Sequence, residues 1–340
     1  MLRQTGAAIA GFAAVLALLT SSQAQDGAQF FKGKAMTIVT STGSGGNYDL
    51  VARLIARHMP KHVGAESIVV RNMPGGGNVV ATNFMFNIAP KDGTSIAVVN
   101  NAIPLHQVLD GRNVRFDAAK FNWIGSTGGR NEAIFIFRTA GIKTVADLQK
   151  KEAVLGGTGP ASSIVIYPTV MNNLLGTKFR IITGYKSSKD VFLAMERGEI
   201  VARSGSLTSI HTTFPKWMTE KKLYFLAQIG LKRDAEIPEA PLLTELAQNE
   251  EQKKIMALIS SPGQLGQPYL APPGVPQDRV VVLRRAFDAT MADKDFLADA
   301  KKTRVDIDPI AGTIIQSIVE GVVAAPKDIV AKARKASGKK

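Results

Sequence analysis

Two glycine-rich stretches hold the chemistry most open to reading in this sequence. Gly43-Ser44-Gly45-Gly46-Asn47 stands between an apolar run that reads as a strand and a run that reads as a helix. Gly156-Gly157-Thr158-Gly159-Pro160-Ala161-Ser162-Ser163 occupies the same kind of place further on. Glycine lets the backbone turn sharply and leaves N–H groups uncovered, and a helix start adds the positive end of a dipole. Together these receive an anion. A tight strand-to-helix turn uses the same residues with no ligand, and the first loop taken alone leaves both readings open. Asp49, in the first turn after that loop, caps it or contacts a ligand. Tyr48, Tyr185 and Trp123 line a cleft or pack half-buried.

Other chemistries find little support. A dinucleotide fingerprint fails twice. Tyr48 stands where the third glycine of G-x-G-x-x-G belongs, and Arg71-Asn72 stands where a ribose-binding acid is expected. There is no phosphate-binding G-x-x-x-x-G-K-[ST] and no G-x-S-x-G elbow. Ser162 and Ser163 follow glycines, but no base is evident for them. His58 and His62 are four apart, yet Pro60 between them ends the helix a metal pair would need. With no Cys anywhere, disulfides, thiolate nucleophiles and Cys-held metals are excluded. Neither catalysis, a cofactor nor a metal is expected.

The elements that would position these loops come in two series. Apolar runs at 36–40, 67–71 and 95–99 read as strands, each followed by a loop and then a helical pattern. Leu50, Val51, Leu54 and Ile55 give the first helix its apolar face. Such units imply a parallel sheet flanked by helices, with ligands outside the carboxyl ends of its strands. The loops at 41–49, 72–78 and 100–104 lie at that edge. A second series runs from 133 to about 229. The Pro- and Gly-loaded stretch 262–276 reads as an extended crossover back to the first unit. The organisation expected is α/β and two-lobed, with residues 34–135 plus 262–330 in one lobe, 136–261 in the other, two crossings and a cleft at the hinge.

Both ends differ from the middle. Arg3, an apolar run from Ala7 to Leu19 and Ser22-Gln23-Ala24 read as a cleavable signal over 1–24. The net charge is +14, from 42 basic and 28 acidic residues. The basic residues are dispersed, so nucleic acid is not expected as a partner, but a positive surface draws in anions. Residues 331–340 read as a solvated basic tail.

The order of these motifs resembles the Bug-type receptors of tripartite tricarboxylate transporters. The similarity rests on Gly45-Gly46-x-x-Asp49 before a helix, Asn72-Met73-Pro74-Gly75-Gly76-Gly77-Asn78, Pro90-Lys91-Asp92-Gly93, Gly184-Tyr185-Lys186, the run at 236–243 and Ala271-Pro272-Pro273-Gly274-Val275-Pro276. The resemblance implies a type II-like periplasmic binding protein, each lobe a mostly parallel sheet flanked by helices. It implies a monomer that holds a small organic acid through backbone N–H groups of both lobes, with membrane permease subunits as partners. The site it suggests comprises Gly43, Ser44, Gly45, Gly46, Asn47, Tyr48, Asp49, Asn78 and Asn100 in one lobe. Gly157, Thr158, Gly159, Ser162, Tyr185 and Ser204 face them from the other, and Arg130 or Arg203 is a candidate for the ligand's far end. Ser41-Thr42-Gly43 departs from the family's proline- and aromatic-containing segment, and Tyr48 is aromatic where a small residue is common. A ligand-presenting sensor partner and an exported enzyme on the same fold are the alternatives.

Overall fold

The computed structural model describes residues 27, 29–111, 113–128, 131–160, 162–230 and 232–339. The expected signal segment and Arg130 lie outside the described residues.

A first series contains β1 (Ala35–Thr40), α1 (Asn47–His58), β2 (Ser67–Asn72), α2 (Val79–Asn87), β3 (Ser95–Val98), α3 (Ile103–Leu109) and β4 (Asn122–Ser126). A second contains β5 (Glu132–Phe137), α4 (Val145–Lys150), β6 (Ala153–Gly156), α5 (Ser163–Leu175), β7 (Phe179–Ile182) and α6 (Ser188–Glu196). It continues through β8 (Ala202–Ser206), α7 (Leu207–Thr213), β9 (Leu223–Ile229) and α8 (Glu250–Ser260). The chain returns with β10 (Pro268–Ala271), α9 (Gln277–Met291), α10 (Lys294–Lys302), β11 (Ile310–Ala311) and α11 (Gly312–Val323), and ends in α12 (Lys327–Ala336).

The strands form two sheets, ordered β11-β4-β10-β3-β1-β2 and β7-β6-β8-β5-β9. Each sheet is the centre of one lobe. β1 runs parallel to β2 and β3, and β6 runs parallel to β7 and β8. Beside each trio lies an antiparallel strand, β10 against β3 and β5 against β8. Each of these two strands has just crossed from the other lobe. It enters its sheet at the cleft end and runs away from the cleft, against neighbours that run toward it. The architecture is the two-lobed α/β fold of a type II-like binding protein, with sheets more mixed than the strand–helix units suggested.

Alternation along the strands places the cores. Ile38 packs on one face of the first sheet and Val39 on the other; Ile134 and Phe135 divide the same way in the second. Both faces of each sheet are covered, which is why these strands read as nearly unbroken apolar runs.

Three features differ from the sequence reading. Residues 132–135 belong to the second sheet, so the first crossing spans 127–131 and not a point after 135. Pro268–Ala271, expected as extended crossover, is a strand inside the first sheet; Pro268 is tolerated because it is the strand's first residue. The basic tail is helical. α12 packs on α3, α5 and α8, with Ala333 and Ala336 buried in the second lobe's core and Lys339 paired with Asp110 at 2.7 Å. The chain therefore crosses between lobes a third time, at 324–326. Alanine's small side chain made this apolar face hard to see among the lysines.

Candidate functional site

The cleft ends of both sheets enclose a cavity of about 70 Å³. One water needs roughly 10–15 Å³ on this measure, so the closed site admits about five water-sized groups. The lobes meet around its mouth. Gly43 N–H donates to the Lys186 carbonyl at 3.3 Å, and Asn47 N–H donates to Ser188 Oγ at 3.4 Å. A Cβ on Gly159 would lie 3.0 Å from the backbone of Gly77.

Six of the residues singled out from the sequence line the cavity: Asn47, Tyr48, Asn78, Asn100, Thr158 and Ser162. Asn47 and Tyr48 open α1, whose N-cap, Gly46, offers no side-chain cap. Ser162 is the N-cap of α5, which also lacks a side-chain cap. The second lobe thus presents a helix start with no capping side chain, whereas at the start of α1 the Ser188 hydroxyl of the other lobe takes the Asn47 N–H. Asn78 reaches the cavity from a left-handed backbone with φ 84°, set up by the turn Gly75-Gly76-Gly77 before it. The Tyr48 hydroxyl accepts from Asn101 N–H at 3.4 Å, and burial, then the charge of Glu132, push its pKa far up, so it remains a neutral phenol.

The other nine lie elsewhere. Gly43, Ser44, Gly45 and Gly46 are absent from the cavity wall, and Gly43, Gly45 and Gly46 abut Lys186, Ser187, Ser188 and Lys189. Their lack of side chains serves lobe contact. Asp49 turns back into its own loop: its carboxylate accepts from Gly45 N–H at 2.9 Å, from Arg53 Nη2 at 2.9 Å and from Asn72 Nδ2 at 2.9 Å. Gly157 packs against α5, where an added Cβ would meet Val165 at 2.5 Å. Gly159 makes the lobe contact with Gly77 already described. Tyr185 packs on a hydrophobic cluster of the second lobe, and Ser204 is buried beside the cavity, not in its wall. Trp123 is also core, its Nε1 donating to the Ala118 carbonyl. His58 and His62 pair separately with Asp299 and Asp293.

Burial pushes the Asp49 carboxyl up, but hydrogen bonds from Arg53, Gly45 and Asn72 outweigh it and hold it below the ordinary value. A depressed carboxyl stabilises the fold fully above its unfolded pKa, about 3.9 for Asp, and that share is lost as pH falls through the lower folded value. Asp49→Asn is therefore expected to cost about 1–3 kcal/mol near neutrality and to flatten the loss of stability below about pH 4. Urea denaturation across pH checks this; an unchanged midpoint at neutral pH would contradict the role.

Of the two strongest charges, the sequence reading passed over Glu132 and named Arg203 only as one candidate. Glu132 opens β5 and is 7 % exposed; it lines the cavity and accepts from Asn101 Nδ2 at 2.6 Å. Burial raises its pKa, while bonds from Asn101 and Ser163 and the charge of Arg203 oppose the rise. Arg203, weighed only for a ligand's far end, is 2 % exposed and also lines the cavity. Its guanidinium stacks 4.0 Å from the centre of the Phe192 ring. Nε donates to the Ser204 carbonyl at 3.1 Å and Nη1 to that of Ser188 at 3.5 Å. No carboxylate among the described residues stands within 4.0 Å of it. Burial lowers its pKa and Glu132 opposes that. Gly128 and Gly266, from the first two crossings, complete the wall, so the hinge is the floor of the site.

Two lobes closed on a cavity that carries an acid and a guanidinium in its wall define a solute-binding protein. The chain belongs to the tripartite tricarboxylate transporter family receptor group, whose model matches residues 51–318. It is 26 % identical over 275 residues to the "UPF0065 protein in gbd 5'region" of Cupriavidus necator, covering 77 % of this chain and 80 % of that one. Among solved structures, the periplasmic binding protein BugD superposes with a TM-score of 0.71 at 20 % identity, covering 89 % of this chain and 97 % of BugD. MatC from Rhodopseudomonas palustris with bound malate gives 0.69 at 18 % identity, covering 87 % and 99 %.

Proposed function

We propose that this protein is a periplasmic receptor that closes its lobes on a small organic carboxylate and delivers it to a membrane permease of the tripartite type. The observation that carries the reading is Arg203. A guanidinium this buried, with no carboxylate among the described residues within 4.0 Å, is costly unless an anion meets it, and the uncapped start of α5 adds donors around the same space. The malate bound to MatC, which this chain resembles in fold, supports the same ligand class. Export rests on the signal-like pattern of 1–24, and the permease partner rests on family membership. The reading is one of binding without turnover, by a monomer with no cofactor.

The test is a thermal-shift and calorimetric screen of short mono- and dicarboxylates. A true ligand at a hundred times its dissociation constant stabilises the closed protein by about 2.7 kcal/mol. Failure of every carboxylate, with binding of a sugar or an amine instead, would dismiss the reading.

A further inference from the structure

Arg203 explains one end of a ligand; the cavity also has an end that asks for a donor. Glu132 and Asn101 form a buried pair in its wall, Nδ2 of Asn101 donating to Oε1 of Glu132 at 2.6 Å. A carboxylate oxygen only accepts, so this bond fixes which way the Asn101 amide faces. Two acceptors of the pair are left over. Among the described residues, Oδ1 of Asn101 is buried without a hydrogen-bond partner, and so is Oε2 of Glu132, although the Ser163 hydroxyl stands close to that carboxylate. Two further amide oxygens in the same wall, Oδ1 of Asn47 and Oε1 of Gln267, are in the same condition. A buried acceptor without a donor costs about 1–3 kcal/mol, so a group rich in N–H is the complement of this wall.

We propose that the ligand is an amino-carboxylate, its carboxylate meeting Arg203 and the start of α5, and its ammonium donating to Glu132 and Asn101. The assignment rests on the carboxylate reading and narrows it. Charge decides among the acids. Arg203 and Glu132 carry opposite charge in one cavity without pairing directly, and a zwitterion satisfies both. A dicarboxylate would bring two negative charges to one cation and set one of them near a carboxylate, which favours neither ionised form. A plain monocarboxylate would leave the Glu132 and Asn101 acceptors unmet.

The experiment compares matched pairs of straight-chain acids of three to six carbons, each with and without an amino group at the α or ω carbon, together with the dicarboxylates of the same lengths. Calorimetry on the full chain should show an amino acid binding at least tenfold tighter than its deaminated partner. Glu132→Gln keeps the shape and the bond from Asn101 but cannot accept from an ammonium at its amide nitrogen. It should lower affinity for the amino acid at least tenfold, about 1.4 kcal/mol, and leave the deaminated acid unchanged or improved. Asn101→Ala is the second variant and should weaken the same preference, with circular dichroism confirming the fold of each. Equal or tighter binding of the deaminated acid or a dicarboxylate by the wild type, or a preference that Glu132→Gln leaves intact, overturns the ammonium assignment while the carboxylate reading stands. If no acid of either kind binds, both fall.

Discussion

Arg203→Met is expected to cost at least about a hundredfold in affinity for the carboxylate ligand, roughly 2.7 kcal/mol, while the ligand-free protein keeps its stability or gains some. The two halves of the result have one cause. Methionine preserves most of the packing on Phe192, which the guanidinium covers at 4.0 Å. It removes a charge that is almost fully buried with no carboxylate among the described residues within ion-pair reach. Replacing buried charge by a well-packed apolar group is often neutral or stabilising, whereas removing the partner of a bound anion costs about 2–5 kcal/mol in binding. Arg203→Lys should fall between, since an ammonium keeps the charge and loses the planar fork. Calorimetry and scanning calorimetry on the three proteins read both halves. Affinity within threefold of wild type for the methionine variant would remove Arg203 from the site.

Gly128→Ala should abolish the folded state or cost more than about 4 kcal/mol, the range reserved for a named packing failure. Gly128 sits in the first crossing with φ +71°, a left-handed conformation that costs a side chain about 1–2 kcal/mol. Far more comes from space, because its Cβ would overlap the carbonyl of Asp308. That carbonyl has little freedom, since Asp308 N–H is itself bonded to the Thr127 carbonyl at 3.0 Å. Ser126 Oγ, meanwhile, accepts from both Gly128 N–H and Gln267 N–H at 3.0 Å, tying the first crossing to the second. Gly33→Ala is the control, with φ +70° and open space, so it should lose only the conformational share. Soluble yield and urea denaturation separate the two. A Gly128→Ala protein as stable as Gly33→Ala would mean that the hinge tolerates being pried open.

The sequence showed where the chain turns better than which atoms face the cavity. Glycine runs at strand ends mark the cleft because only they permit the turns and the close approach, and Asn47, Tyr48, Asn78, Asn100, Thr158 and Ser162 follow from that placement. Gly43, Gly45, Gly46 and Gly159, however, meet the opposite lobe, contacts between residues distant in sequence that no local pattern encodes. Glu132 escaped because it opens the apolar strand EAIFIF and reads as its polar boundary. A carboxylate at the first residue of a strand that has just crossed the hinge was the available signal, but it needed the crossing to be placed before 132. Pro268–Ala271 escaped for want of length: four residues among prolines carry no period, and only pairing with β3 and β4 makes them a strand.

The third crossing bears on the order in which the molecule can be assembled. Residues 132–260 are continuous in sequence and hold all five strands of the second sheet, so this lobe has the local contacts that favour early structure during synthesis. Its apolar surface under α5 and α8 nevertheless waits for Ala333 and Ala336, which lie well downstream of the lobe's own strands. The first lobe waits as well, for β10 and β11. Neither half is sealed until these downstream segments are made, and the same short helix that completes the second core also fastens it to α3 of the first. A chain interrupted before about residue 325 would expose apolar surface on its better-formed half, making it a natural client for proteases and chaperones.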